Sequence, residues 1–214
     1  MTLRLNGSTS GYVEIDAPAT AGSNTLVLPN GNGTNGQYLQ TNGSGTLSWS
    51  TSGLPAQVLT LGTSVASTSG TAIDFTGIPS TVKRVTVMFN GVSTNGTSVM
   101  LVQAGTSAGI VSSGYLSHSG YIQGGAVGSN TATSGLCIVS GTATDLLYGP
   151  LTLATTGANT WMASGALFRD SGTDYSIIST GVVTLSGTLD RVRITSSNGT
   201  DTFDAGSINI MYEG

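Results

Sequence analysis

The chain has 214 residues, of which 7% are charged and 38% hydrophobic, with six Lys plus Arg against ten Asp plus Glu and a formal net charge of −4. So few cations, with Lys83 the single lysine, exclude the basic stripe that phosphate binding requires, and nucleic acid is not an expected partner. Roughly three residues in ten are Ser or Thr, so hydroxyls and amides replace charge as solubilising groups, while short Val, Ile and Leu runs argue against disorder.

Met1 is not followed by a charged leader with an apolar core, and no run of about eighteen apolar residues occurs anywhere. Neither export nor membrane insertion is expected, and synthesis in a cytoplasm is. Residues 1–50 hold five short strand candidates, Leu3–Leu5, Tyr12–Ile15, Thr25–Leu28, Gln37–Gln40 and Thr46–Trp49, separated by Gly, Asn, Ser and Pro clusters. Asn-Gly and Ser-Gly dipeptides supply the positive φ of tight hairpin turns, and in Gly31–Trp49 the groups able to bury area are Tyr38, Leu39, Leu47 and Trp49. One or two such side chains per strand make a thin core, so this module is expected to need copies of itself or a partner surface. Thr51-Ser-Gly-Leu-Pro55 reads as a linker, dividing the chain into a module of residues 1–52 and a domain of residues 53–214.

The run from Ser10-Gly-Tyr-Val-Glu-Ile-Asp-Ala-Pro18 through Asn24-Thr-Leu-Val-Leu-Pro29 to Gly31-Asn-Gly-Thr-Asn-Gly-Gln-Tyr-Leu-Gln-Thr-Asn-Gly-Ser-Gly-Thr-Leu-Ser-Trp49 resembles the amino-terminal repeat of tail-fibre and related structural proteins of tailed bacteriophages. The resemblance covers about the first quarter of the chain, a small share of a usual domain. It implies a virion protein, attached to the phage tail or baseplate through its amino-terminal module, with Tyr12, Leu26, Leu28, Tyr38, Leu47 and Trp49 as the candidate attachment residues, assembled as a homotrimer and presenting distal loops to a glycan or protein of the host surface.

After the linker the strands lengthen. In Val82–Asn90 the side chains Val85, Val87 and Phe89 alternate with Arg84, Thr86 and Met88, the pattern of a half-buried antiparallel strand. Further candidates are Gln57–Leu61, Ala72–Phe75, Ser98–Gln103, Leu136–Ser140, Leu146–Leu153, Trp161–Phe168, Tyr175–Leu185, Leu189–Thr195 and Ser207–Tyr212. No helical spacing with caps appears. The predicted fold is all-β: a small amino-terminal hairpin module followed by an antiparallel, jelly-roll-like β-sandwich. Gly105–Gly135, rich in Gly and Ser, reads as long loops in which Tyr115 and Tyr121 bracket His118, the only histidine. Tyr115, His118, Tyr121 and Tyr148 are the candidate glycan- or receptor-binding residues, since aromatic faces suit the apolar faces of sugars. Trp161 heads an alternating run and is expected in the core.

Motifs for chemistry are thin. Gly31-Asn-Gly-Thr-Asn-Gly36 has the spacing of a dinucleotide-binding loop, but Gln37-Tyr-Leu-Gln40 meets another turn instead of opening a helix. Asp170 with Asp174, and Asp201 with Asp204, are the carboxylate pairs a glycan-cleaving fibre would need, and both read more simply as turn ends. Neither pair has the spacing of a calcium loop, and one His with one Cys cannot build a zinc site or a nucleophilic triad. Cys137, flanked by Leu136 and Ile138, reads as a buried, inert thiol. Asn6, Asn32, Asn42, Asn95 and Asn198 all sit in Asn-Gly-Ser/Thr sequons, read here as hairpin turns. The expectation is a non-enzymatic short tail fibre without cofactor or metal. The alternatives are a capsid decoration or head-fibre protein, a glycan-cleaving fibre, and a free bacterial carbohydrate-binding module.

Overall fold

A computed structural model describes residues 3–51, 58–139, 141–170, 172 and 174–214. The chain divides into two compact units, Met1–Ala56 and Gln57–Gly214. The linker expected at Thr51–Pro55 and the boundary at residue 53 fall on residues outside the described set from Ser52 onward. The described residues form strands, turns and bends and contain no helix, so none is long and apolar enough to cross a membrane.

The first unit consists of two separate hairpins. β1 (Leu3–Asn6) pairs with β2 (Tyr12–Ile15), and β3 (Tyr38–Thr41) pairs with β4 (Leu47–Ser50), both antiparallel. Thr25–Leu28 does not become the expected strand. It touches β4 through one bridge, in which Val27 N–H donates to the Gly45 carbonyl and Leu47 N–H donates to the Val27 carbonyl. With a single neighbour and Pro29 immediately after, the segment has no second ladder to extend into. The connection from β3 to β4 is a tight asparagine turn: Asn42 Oδ1 accepts from the Ser44 and Thr46 amides.

The second unit is a two-layer sandwich. Its strands are β5 (Leu59–Leu61), β6 (Val65–Ala66), β7 (Ala72–Phe75), β8 (Arg84–Thr94), β9 (Met100–Thr106), β10 (Gly109–Ile110), β11 (Leu116–Gln123), β12 (Ala126–Ala132), β13 (Leu136–Cys137), β14 (Leu146–Gly157), β15 (Thr160–Asp170), β16 (Tyr175–Thr184), β17 (Arg191–Ser196) and β18 (Phe203–Glu213). The larger sheet has the order β12-β11-β16-β15-β14-β8-β18-β5, with β6 also on β18, and the smaller has β10-β9-β17-β7, with β13 also on β9. The predicted alternation in β8 holds: Val85, Val87 and Phe89 point into the core, where they meet Val102, Ala104, Val192 and Ile194 of the smaller sheet. Trp161, Ala163 and Leu167 of β15 and Ile208 and Ile210 of β18 complete that core.

The loop assignment for Gly105–Gly135 is corrected by the structure, which places β10, β11 and β12 there. Gly124 and Gly125, with φ of 51° and 90°, make the two-residue turn joining β11 to β12. Two of the serines in this stretch, Ser117 and Ser119, are core-facing strand residues. Ser117 Oγ accepts the Cys137 amide at 2.8 Å and Ser179 Oγ donates to the Cys137 carbonyl at 2.6 Å, so hydroxyls satisfy the backbone of the two-residue strand β13. Cys137 itself is fully buried beneath them. β9 starts at Met100, later than the expected Ser98, because the Ser98 amide is held by Asp201 Oδ2 at 3.0 Å.

Candidate functional site

One face of the larger sheet packs on the core and the other faces solvent, so the register fixes which side chains stand together outside. One row crosses the sheet as Thr131, His118, Thr180, Ser164, Thr152 and Thr86 on six neighbouring strands. Successive strands are about 4.8 Å apart, so this line of hydroxyls and one imidazole is on the order of 24 Å long. Thr86 and Thr152 are bonded to each other through their hydroxyls at 3.2 Å. On one side runs the row Leu116, Val182, Met162 and Ala154, ending in Arg84 and Glu213. On the other side stand Ile178 and Ala166, and beyond them Ile122, Phe168 and Tyr148.

The short Thr and Ser side chains thus lie between longer aliphatic ones. A depression of about 390 Å³ opens at the His118 end, lined by Leu116, His118, Thr131 and Thr180. At the opposite end a depression of about 330 Å³ is lined by Thr86, Thr152, Met211, Arg84 and Glu213. The rows carry one opposite-charge pair, Arg84 with Glu213, which neutralise each other. These rows therefore offer hydroxyl hydrogen-bonding groups and apolar patches with no net charge of their own, and Asp170 stands exposed at the end of β15 on the same side.

The four aromatic and imidazole residues singled out in the sequence do not form one site. His118 is exposed on the hydroxyl row. Tyr148 shares that face beside Phe168, ring centroids 6.0 Å apart, but three strands and four residues away, about 20 Å. Tyr121 points inward and meets Tyr175 edge-on at 5.4 Å. Tyr115 is a correction: it is 1% exposed, with its hydroxyl accepting from the Ala104 amide at 2.8 Å and lying 2.9 Å from the Val111 carbonyl. Burial pushes that hydroxyl up to about 12, against the Ala104 backbone bond, which acts the other way. Its aromatic bulk packs in the core of the sandwich.

Behind the face sits a buried ion pair. Arg169 Nε lies 3.1 Å from Asp145 Oδ2, and its guanidinium is 5.1 Å from the Tyr175 ring. Burial lowers the Arg169 pKa, and the Asp145 carboxylate opposes that shift. Asp145 also accepts from the Thr142 amide and hydroxyl, which fixes the turn before β14. Five of the ten acids, Glu14, Asp74, Asp145, Asp190 and Glu213, are held in ion pairs. Asp201 is bound by Asn198 Nδ2 and the Ser98 amide, and these bonds lower its pKa, Asn198 contributing most. Among the described residues no group of three His, Cys, Asp or Glu side chains converges as a metal site would require.

The residues proposed for attachment lie apart in the first unit. Leu26 and Leu28 are 68% and 70% exposed, and Tyr12 is exposed with the Arg4 guanidinium 4.0 Å above its ring. Tyr38, Leu47 and Trp49 are half-buried; Trp49 Nε1 donates to the Gly31 carbonyl at 2.8 Å and covers Gly33, where a Cβ would lie 2.7 Å from the indole. Sequence reasoning missed a second apolar set. Leu3 faces Ile15 and Leu5 faces Val13 across the first hairpin, all four 56–66% exposed on one side of it. The signal was present in the alternation of Leu3-Arg-Leu5 and Val13-Glu-Ile15. No family model, no curated protein and no solved structure matches the chain.

Proposed function

We propose that the chain is a structural protein of a tailed-phage virion: a short tail fibre, held on the tail or baseplate by its first unit, assembled as a homotrimer, non-enzymatic, and binding the host surface with the outer face of the larger sheet. The observation that supports this most is the contrast within one chain. The first unit leaves Leu3, Leu5, Val13, Ile15, Leu26 and Leu28 in water, while the second has a complete core and a broad hydroxyl-lined face. A unit that cannot bury its own aliphatic side chains suits attachment, and a rigid sandwich suits presentation. The resemblance of the first quarter to tail-fibre repeats points the same way. Weak contacts repeated on one particle gain avidity, which fits a face built from hydroxyls.

The test is immunogold labelling of particles together with competition of adsorption by the purified chain. Label at the tail, with competition reduced at least tenfold by the double variant H118E/T180E, supports the reading. Label on the head without competition moves the chain to the decoration class. Release of reducing sugar from host envelopes would overturn the non-enzymatic part.

A further inference from the structure

Among the described residues the second unit has four sheet edges, and three of them are blunted. At one side of the larger sheet, β5 and β6 are three and two residues long and interrupt each other. In the smaller sheet β7 has four residues, with Asp74 engaged by Arg193, and β10 and β13 have two residues each. Short or charged edges are the usual defence against pairing with a foreign strand. The fourth edge, β12, has none of these devices. It runs seven residues, Ala-Val-Gly-Ser-Asn-Thr-Ala, without charge or proline, and pairs with β11 in unbroken register from Gln123↔Ala126 to Ser117↔Ala132.

The two-residue turn sets which backbone groups are free. In such a hairpin the residues flanking the turn, Gln123 and Ala126, exchange hydrogen bonds, and bonded pairs then recur at every second position. Ala126, Gly128, Asn130 and Ala132 therefore bond to β11, while the amides and carbonyls of Val127, Ser129 and Thr131 point away from the sheet. No described residue hydrogen-bonds those groups. The side chains of the same three residues emerge on the outer face, and Val127 is 79% exposed.

We infer that β12 is a self-association edge, on which the β12 of a second copy pairs antiparallel about a twofold axis at Ser129. The sequence of the edge is compatible with itself in that register. Ser129 faces its own copy, Val127 faces Thr131, and Gly128 faces Asn130. The β-branched Val–Thr pairs are favourable cross-strand neighbours, and no like charges meet. The three outward residues of each copy form three bonded pairs, enough for six backbone hydrogen bonds. The contact is isologous, so in a homotrimer it joins copies of different trimers. It does not depend on the virion reading.

A cysteine at the twofold tests this directly, because Cα atoms of a bonded antiparallel pair lie about 5.5 Å apart, within disulfide range. Full-length S129C is oxidised and followed on non-reducing gels beside M162C, a control at an exposed position of the same face; Cys137 is buried and silent. The expected result is covalent dimer from S129C at least tenfold faster than from M162C, with V127K/S129C falling back to the control rate. Equal rates for S129C and M162C, or an unchanged rate after V127K, would overturn the inference. The trimer is read separately, from light scattering of the unmodified chain under reducing conditions, so either conclusion can fail alone.

Discussion

In the first hairpin Leu3, Leu5, Val13 and Ile15 alternate with polar neighbours and remain more than half exposed; in β8 the same alternation puts Val85, Val87 and Phe89 at 4% exposure or less. The pattern specifies a strand in both places. Burial then depends on what covers the apolar face, and a two-stranded hairpin has no second layer. The same contrast holds for charge. Arg4–Glu14 lies on the surface of the hairpin, whereas Arg169–Asp145 is enclosed in the sandwich.

Mutations in the two units should differ in cost accordingly. Asp145→Ala strips the enclosed guanidinium of its carboxylate and is expected to destabilise the second unit by about 3–5 kcal/mol in denaturant unfolding. A loss under 1 kcal/mol would mean that the pair is solvated after all. Tyr115→Phe removes a hydroxyl that serves buried backbone groups and is expected to cost about 1–3 kcal/mol. Its pH signature sharpens the point: because the folded Tyr115 pKa is raised to about 12 from an ordinary 10.0, its contribution is complete below pH 10 and is lost as pH climbs toward 12. The Phe variant should lack that alkaline slope. Ala158, at φ 47° in the turn between β14 and β15, occupies a left-handed conformation, so Ala158→Gly is expected to raise stability by about 1 kcal/mol in the same assay. Glu14→Ala, on the exposed hairpin pair, should change the unfolding free energy by less than about 1 kcal/mol.

The all-β fold was readable from alternation and turn dipeptides, and β7, β8, β15 and β16 fall close to their expected ranges. The hairpin β11–β12 was not, because Ser117, Ser119 and Gly120 carry the composition of a loop, while Ser117 and Ser119 act as inward-facing strand positions. A serine whose hydroxyl replaces a missing ladder bond looks identical in sequence to one in a loop. Tyr115 failed as a surface candidate for a related reason: an aromatic between Gly and Leu gives no hint of which side of the sheet will enclose it. The hydroxyl row could not be foreseen either, since Thr131, His118, Thr180, Ser164, Thr152 and Thr86 become neighbours only through register across six strands. His118 was named from the sequence, its companions were not.

The near absence of charge on that face sets the kinetics of whatever it meets. With Arg84 and Glu213 cancelling each other, the rows themselves do not steer a ligand, and the remaining long-range field is that of the chain's formal net charge of −4, with Asp170 exposed at the end of β15. Toward an uncharged ligand ionic strength then has little to screen, and hydroxyl rows that gain nothing from electrostatic attraction keep the same grip in brine as in dilute buffer.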